Sequence, residues 1–131
     1  MIKEQVLSAL RTLGFMPEEI EGVGYRFDFE GLNVLYSVDE ESTKCVTLCA
    51  PGVYDITDGD RVTTLEAMVR LSGEMKYVQP FIMFGDKVWL NYQHYIGDNP
   101  VTPELIEHMV RVLMASTITF HKIINGEDND D

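Results

Sequence analysis

From Tyr25 to Val38 apolar and polar residues alternate, with the period of two that a half-buried strand requires. A two-residue turn at Glu30-Gly31 sets Phe29 opposite Leu32, Phe27 opposite Val34 and Tyr25 opposite Tyr36 on one side. Arg26, Asp28 and Asn33 fall on the other. A one-residue slip would put the aromatic row into water, so this hairpin is well specified. The chain around it reads as follows. Ile2, Val6, Ala9, Leu10 and Leu13 recur at helical spacing, which predicts a helix over Ile2–Leu13 closed by Gly14. Phe15 to Gly24 reads as a loop, with one helical turn at Pro17-Glu18-Glu19-Ile20. After a polar turn at residues 39–44, Val46, Leu48 and Ala50 mark a third strand, Cys45–Ala50, stopped by Pro51-Gly52.

The spacing predicts a second helix from about Asp60 to Met75. Its apolar residues, Val62, Leu65, Met68, Val69, Leu71 and Met75, spread over about half of the circumference, wider than a stripe facing one sheet. Tyr77–Phe84 and Lys87–Ile96 form a second hairpin. A two-residue turn at Gly85-Asp86 sets Phe81 and Met83 beside Val88 and Leu90, and sends Ile82 and Trp89 to the opposite face; a three-residue turn swaps that register. Thr102-Pro103 opens a last helix, with threonine as cap and proline at the first position, running to about Ile124. The expected order is α-β-β-β-α-β-β-α: an α+β domain with helices packed on an antiparallel five-stranded sheet. Residues 1–124 form one domain, and the acidic stretch 125–131 is expected to be a disordered tail.

Charge narrows the partners. The 131 residues carry a formal net charge of −12, and lysine and arginine are too scattered to track phosphates. Nucleic acid and anionic membrane surfaces are therefore not expected partners, whereas a basic protein would be steered in. The amino terminus lacks an apolar run of signal-peptide length, so a cytoplasmic protein is expected. Cys45 and Cys49 share a strand face about 13 Å apart at ~3.3 Å per residue, too far for a mutual disulfide.

No motif identifies a reaction. Asp55 to Glu66 has the length of a calcium loop, but Asp60 stands where that loop needs glycine, so a plain loop and helix cap is expected. His94, His108 and His121 each lack a second histidine or a cysteine at ligand spacing, so no zinc site is expected. Glu18-Glu19 and Glu40-Glu41 are adjacent loop carboxylates, a solvated arrangement. No cofactor, no metal and no catalytic residue is expected. The wide arc on the second helix and the apolar residues of the second hairpin supply the candidate partner-binding residues: Met68, Leu71, Met75, Ile82 and Trp89.

Several features together carry a resemblance. They are Leu13-Gly14-Phe15 closing the first helix, Phe29-Glu30-Gly31-Leu32 turning the first hairpin, and a third strand ending at Ala50-Pro51. The second helix then leads almost directly into the strand from Tyr77, and the last helix bears Leu105, Met109, Leu113, Ala115 and Phe120. In this order the chain resembles the YbjN family and the wider type III secretion chaperone-like fold. The resemblance implies a non-enzymatic protein- or peptide-binding domain, chaperone-like or an adaptor, that forms a homodimer and holds an extended segment of a partner. The alternative is an acidic stoichiometric regulator, of the kind described as candidate sensory-transduction regulators, or an inhibitor of a basic protein.

Overall fold

The computed structural model of the protein describes residues 2–38 and 43–126. Helix α1 (Ile2–Thr12) buries Val6, Leu7, Ala9 and Leu10. It ends in a left-handed turn at Gly14, where the Phe15 amide donates to the Leu10 carbonyl at 2.9 Å and so satisfies one of the last free carbonyls. Strand β1 (Glu18–Ile20) follows, then β2 (Gly24–Phe29), β3 (Leu32–Ser37) and β4 (Cys45–Asp55). Helix α2 (Arg61–Glu74), strands β5 (Val78–Met83) and β6 (Lys87–Tyr95) and helix α3 (Pro103–Ile124) complete the chain. The strands form one antiparallel sheet in the order β1-β2-β3-β4-β6-β5.

The α+β architecture is the one expected, but the sheet has six strands, not five. The extra strand is β1, on the stretch read as a loop with a helical turn. Glu18 pairs with Arg26 across the ladder, and the Arg26 guanidinium donates to the carboxylates of Glu18 and Asp28, each at 2.9 Å. All three β1 residues are exposed, so no apolar alternation marked it. The β2–β3 register is the expected one, with Phe29↔Leu32, Phe27↔Val34 and Tyr25↔Tyr36 around a left-handed turn at Glu30-Gly31. Gly24 on β2 faces the β3 backbone so closely that a Cβ there would sit 2.0 Å from the Tyr36 carbonyl oxygen. Strand β4 does not stop at Pro51. The register shifts between Ala50 and Tyr54, a bulge that absorbs Pro51-Gly52-Val53 and lets the strand run on to Asp55.

The helices cover one face of the sheet, packing on Phe27, Val34, Leu48, Leu90 and Tyr92, with α3 lying against β4, β5 and β6 between its contacts with α1 and α2. The side chain of Thr102 caps α3, accepting from the Leu105 amide at 3.2 Å, as the Thr-Pro pair predicts. Helix α3 ends at Ile124, the end expected for the helix; residues 127–131 of the expected tail lie outside the described residues, as do residues 39–42 of the polar turn.

The arc on α2 is wider than the fold absorbs, as its spread implied: α2 buries Thr64, Ala67 and Leu71, while Val62 and Val69 are exposed. Thr64 can be buried because its hydroxyl donates to the Asp60 carbonyl at 2.7 Å. The β5–β6 register is the swapped one. Met83 pairs with Lys87 around a three-residue loop, so Ile82 pairs with Val88 on the helix side and Phe81 pairs with Trp89 on the opposite side.

Candidate functional site

The face of the sheet away from the helices divides into two regions. Over β1, β2 and the start of β3 it is polar: Arg26 joins Glu18, Asp28 and Asn33 in one hydrogen-bonded group. Over the rest of β3 and across β4, β6 and β5 it is largely apolar. A trough of about 810 Å³ crosses these four strands. At one end, Phe81 and Phe84 stand with ring centroids 6.1 and 6.2 Å from that of Trp89. Leu35 and Val23 stand at the other end, and Cys49, Asn91, Gln79 and Thr47 form the floor between. Ser72 of α2 stands in the wall.

The elements explain this placement. Alternation in β5 and β6 puts Val78, Pro80 and Ile82 opposite Tyr92, Leu90 and Val88 toward the helices. That leaves Gln79 and Phe81 opposite Asn91 and Trp89 on the open side. Phe84 sits in the β5–β6 loop with left-handed backbone (φ 58°) and is 77% exposed. An antiparallel sheet can face water on one side, but the residues of that side are then usually polar. Aromatic side chains clustered there make an exposed apolar patch of the kind that marks a binding surface.

Among the residues that line the trough, Cys49 alone carries a titratable side chain. Its thiol is pushed up to about 11 by burial, so it stays protonated near neutral pH and is a weak nucleophile. The Cys49 Sγ donates to Asn91 Oδ1 at 3.1 Å. The polar floor otherwise offers amides and hydroxyls, which orient a ligand without titrating.

The five residues expected to bind a partner do not form one surface. Trp89 lies in the trough. Ile82 packs toward the core, and Met68 and Met75 are partly buried against it. Leu71 is fully buried. Reasoning from sequence missed Phe81, Phe84, Leu35 and Val23 as trough residues. For Phe81 the signal was present but ambiguous, because both rows of the second hairpin are apolar and only the loop length assigns them to faces; Leu35 on β3 and Val23 in the turn before β2 lie outside that hairpin.

The other candidates are occupied by structural roles. Asp55 is paired with Lys87 at 3.0 Å. The Asp60 carboxylate accepts from the Thr57 amide and hydroxyl, at 2.7 and 2.9 Å, and from the Tyr54 hydroxyl; these bonds hold it below the usual carboxylate range, that from Tyr54 most of all. His121 Nε2 lies 2.7 Å from the Val53 carbonyl oxygen. His94 lies on β6, and His108 is exposed on α3. Among the described residues, no group of three or more His, Cys, Asp or Glu side chains is placed to hold a metal, both cysteines are free, and no helix is long and apolar enough to cross a membrane. Glu40 and Glu41 lie outside the described residues.

Three helices on one face of an antiparallel sheet ordered in this way define a YbjN-like α+β fold. YbjN itself, from E. coli, described as a candidate transcription regulator, superposes with a TM-score of 0.67 at 12% identity, over 89% of this chain and 87% of that one. An uncharacterized protein from Methanothermobacter thermautotrophicus superposes equally well, with a TM-score of 0.67 at 9% identity, over 98% of this chain and 100% of that one. No protein-family model matches the chain, and no curated protein is similar to it in sequence.

Proposed function

We propose that this protein is a non-enzymatic, cytoplasmic protein-binding domain, an adaptor or regulator that acts by holding part of a partner protein in the open-face trough. The observation that carries this reading is the aromatic cluster of Phe81, Phe84 and Trp89 on a sheet face that the protein's own helices leave uncovered. Large, rigid aromatic side chains in a concave, partly desolvated site are the groups that dominate binding energy at protein interfaces. A regulatory role agrees with the description of YbjN, which has the same fold. Direct contact with DNA does not follow from that description, because a net charge of −12 opposes the phosphate contacts that dominate such binding.

A homodimer belongs to the same proposal, and α2 supplies the surface. Val62, Leu65 and Val69 are exposed at three- and four-residue spacing, so they form one stripe that the monomer leaves in water. The test compares wild type with Phe84→Ser and Val69→Glu. Both positions are well exposed, so both variants keep the wild-type circular dichroism. Phe84→Ser loses partners captured by the wild-type protein and retained in high salt, while Val69→Glu sediments as the monomer. Capture unchanged by Phe84→Ser overturns the trough as the site. Association unchanged by Val69→Glu overturns α2 as the dimer surface.

A further inference from the structure

The shape of the trough, the state of the sheet edges and the charge of the chain together select one kind of occupant. Both edges of the sheet resist strand addition. β1 is three residues long, and Glu18 and Glu19 make it acidic. β5 carries Pro80, which has no backbone N–H to offer. Strand addition is thus disfavoured at both edges, and a partner gains more by packing side chains onto the face. The trough crosses four adjacent strands, a span of roughly 15 Å at about 4.8 Å per strand. An α-helix of about ten residues covers that length and presents three turns of one apolar stripe. Laid there, it would be the layer on the second face of the sheet that the fold lacks.

The charge sets the polar side of that helix. Bases are few, and many are already neutralised: Arg26 by Glu18 and Asp28, Lys87 by Asp55, Arg70 by Glu74, Lys44 by Asp98 and Arg111 by Glu107. Lys76 stands outside these pairs near the Ser72 wall. The uncompensated surplus is acidic. It includes Glu21, two residues before Val23 at the far end of the trough; in the loop beside Phe84, exposed Asp86 is offset by Lys87 and by Arg61, whose guanidinium donates to the Gly85 carbonyl at 3.4 Å. A second copy of this chain would set its own acidic surplus against this face, which a basic partner would not. We propose that the trough takes an amphipathic α-helix of a protein partner, its apolar stripe on Phe81, Phe84 and Trp89 and its outer flanks basic.

This inference rests on the trough being a binding site at all, and the experiment separates the two. Trp89 is the only tryptophan in the chain, so its emission reports directly on the trough. The probes are the neutral dye Nile red and four tryptophan-free synthetic peptides of about 20 residues. Three share one helical leucine spacing and carry about +6, 0 or −6 net charge; the fourth is the cationic peptide with a central proline. The expected result is that Nile red and the cationic peptide both shift Trp89 emission and compete. The cationic peptide binds at least tenfold more tightly than the neutral one at about 50 mM salt, and that advantage falls to about twofold at 500 mM. The proline peptide loses roughly tenfold, and Phe84→Ser, which keeps the reporter, weakens the cationic peptide by a similar factor. Equal binding of the three charge variants, or undiminished binding of the proline peptide, overturns the basic helix while dye binding still supports the trough. If neither dye nor any peptide perturbs Trp89, the trough reading itself fails.

Discussion

Helix α2 gives the sharpest test of which side chains support the fold. Leu71 is fully buried and Val69, two residues earlier, is 74% exposed, although both are apolar and both fall within one arc of the helical wheel. Leu71→Ala removes three carbons from a site closed on all sides. Such substitutions cost about 3–4 kcal/mol, the transfer energy plus the energy of the cavity left behind. A chain of this size unfolds with an entropy near 2 cal/mol/K per residue, so each kcal/mol moves the midpoint by about 4 °C. Leu71→Ala should therefore melt about 10–15 °C below wild type. Val69→Ala removes side-chain surface that is already in water and gains up to about 0.6 kcal/mol of helix propensity, so its midpoint should stay level or rise by a degree or two. Thermal melts followed by circular dichroism at 222 nm should be run at a dilution where sedimentation gives the monomer mass, so that any contact between copies does not contribute. A Val69→Ala loss as large as that of Leu71→Ala refutes the assignment of the buried face. So does a Leu71→Ala midpoint within two or three degrees of wild type.

Three further outcomes are expected. Gly24→Ala should destabilise by roughly 3 kcal/mol in urea, because the added Cβ meets the Tyr36 carbonyl oxygen at 2.0 Å and the φ of +155° is one that L side chains rarely adopt; an unchanged midpoint would refute the close approach of β2 to β3. Ser116 Oγ is buried without a hydrogen-bond partner among the described residues, so Ser116→Ala should leave stability level or raise it by about 1 kcal/mol, and a clear loss would mean the hydroxyl is satisfied. Burial raises the Cys49 thiol from 9.0 to about 11, so the stability it contributes is complete below about pH 9 and is lost as pH rises toward 11. Urea unfolding of wild type against Cys49→Ala should show that extra decline in the wild type alone, and parallel pH profiles would contradict the buried thiol.

What could be read from the sequence depended on whether a segment's partner was local. The β2–β3 hairpin was legible in full, because strict alternation and a two-residue turn determine its register without help from elsewhere. Helix α3 was legible for the same reason, with its threonine cap and proline at the first turn. β1 was not, because its residues lie on an edge, all exposed, and are tied to the sheet through Arg26. The length of β4 was misread because Pro51-Gly52 ends most strands but here forms a bulge, which only the partner β6 reveals. On α2, hydrophobicity pointed to Val62 and Val69, yet the buried face is built on Thr64, Ala67 and Leu71. Small residues let α2 approach its neighbours closely, and no wheel records that. Trp89 was correctly set on the face away from the first hairpin's core, but its neighbour there is Phe81, not Ile82. The trough thus needed one fact the chain does not print: a loop of three residues where two were expected.

The acidic surplus, Pro80 in β5 and the short acidic β1 look unrelated along the chain, but they answer one physical problem. A sheet that leaves Phe81, Phe84 and Trp89 uncovered offers an apolar surface to any passing copy, and a long bare edge would let that encounter grow by strand pairing. Pro80 denies one edge a donor, and β1 ends the other in three residues carrying two carboxylates. A formal charge of −12 adds repulsion between identical chains that it does not impose on a basic partner. The same features that keep identical chains off this face thus agree with the proposed occupant, a different molecule of opposite charge. A trough kept open only as a packing defect would need none of them. The combination thus supports the proposed binding surface over a face that happens to lack a layer.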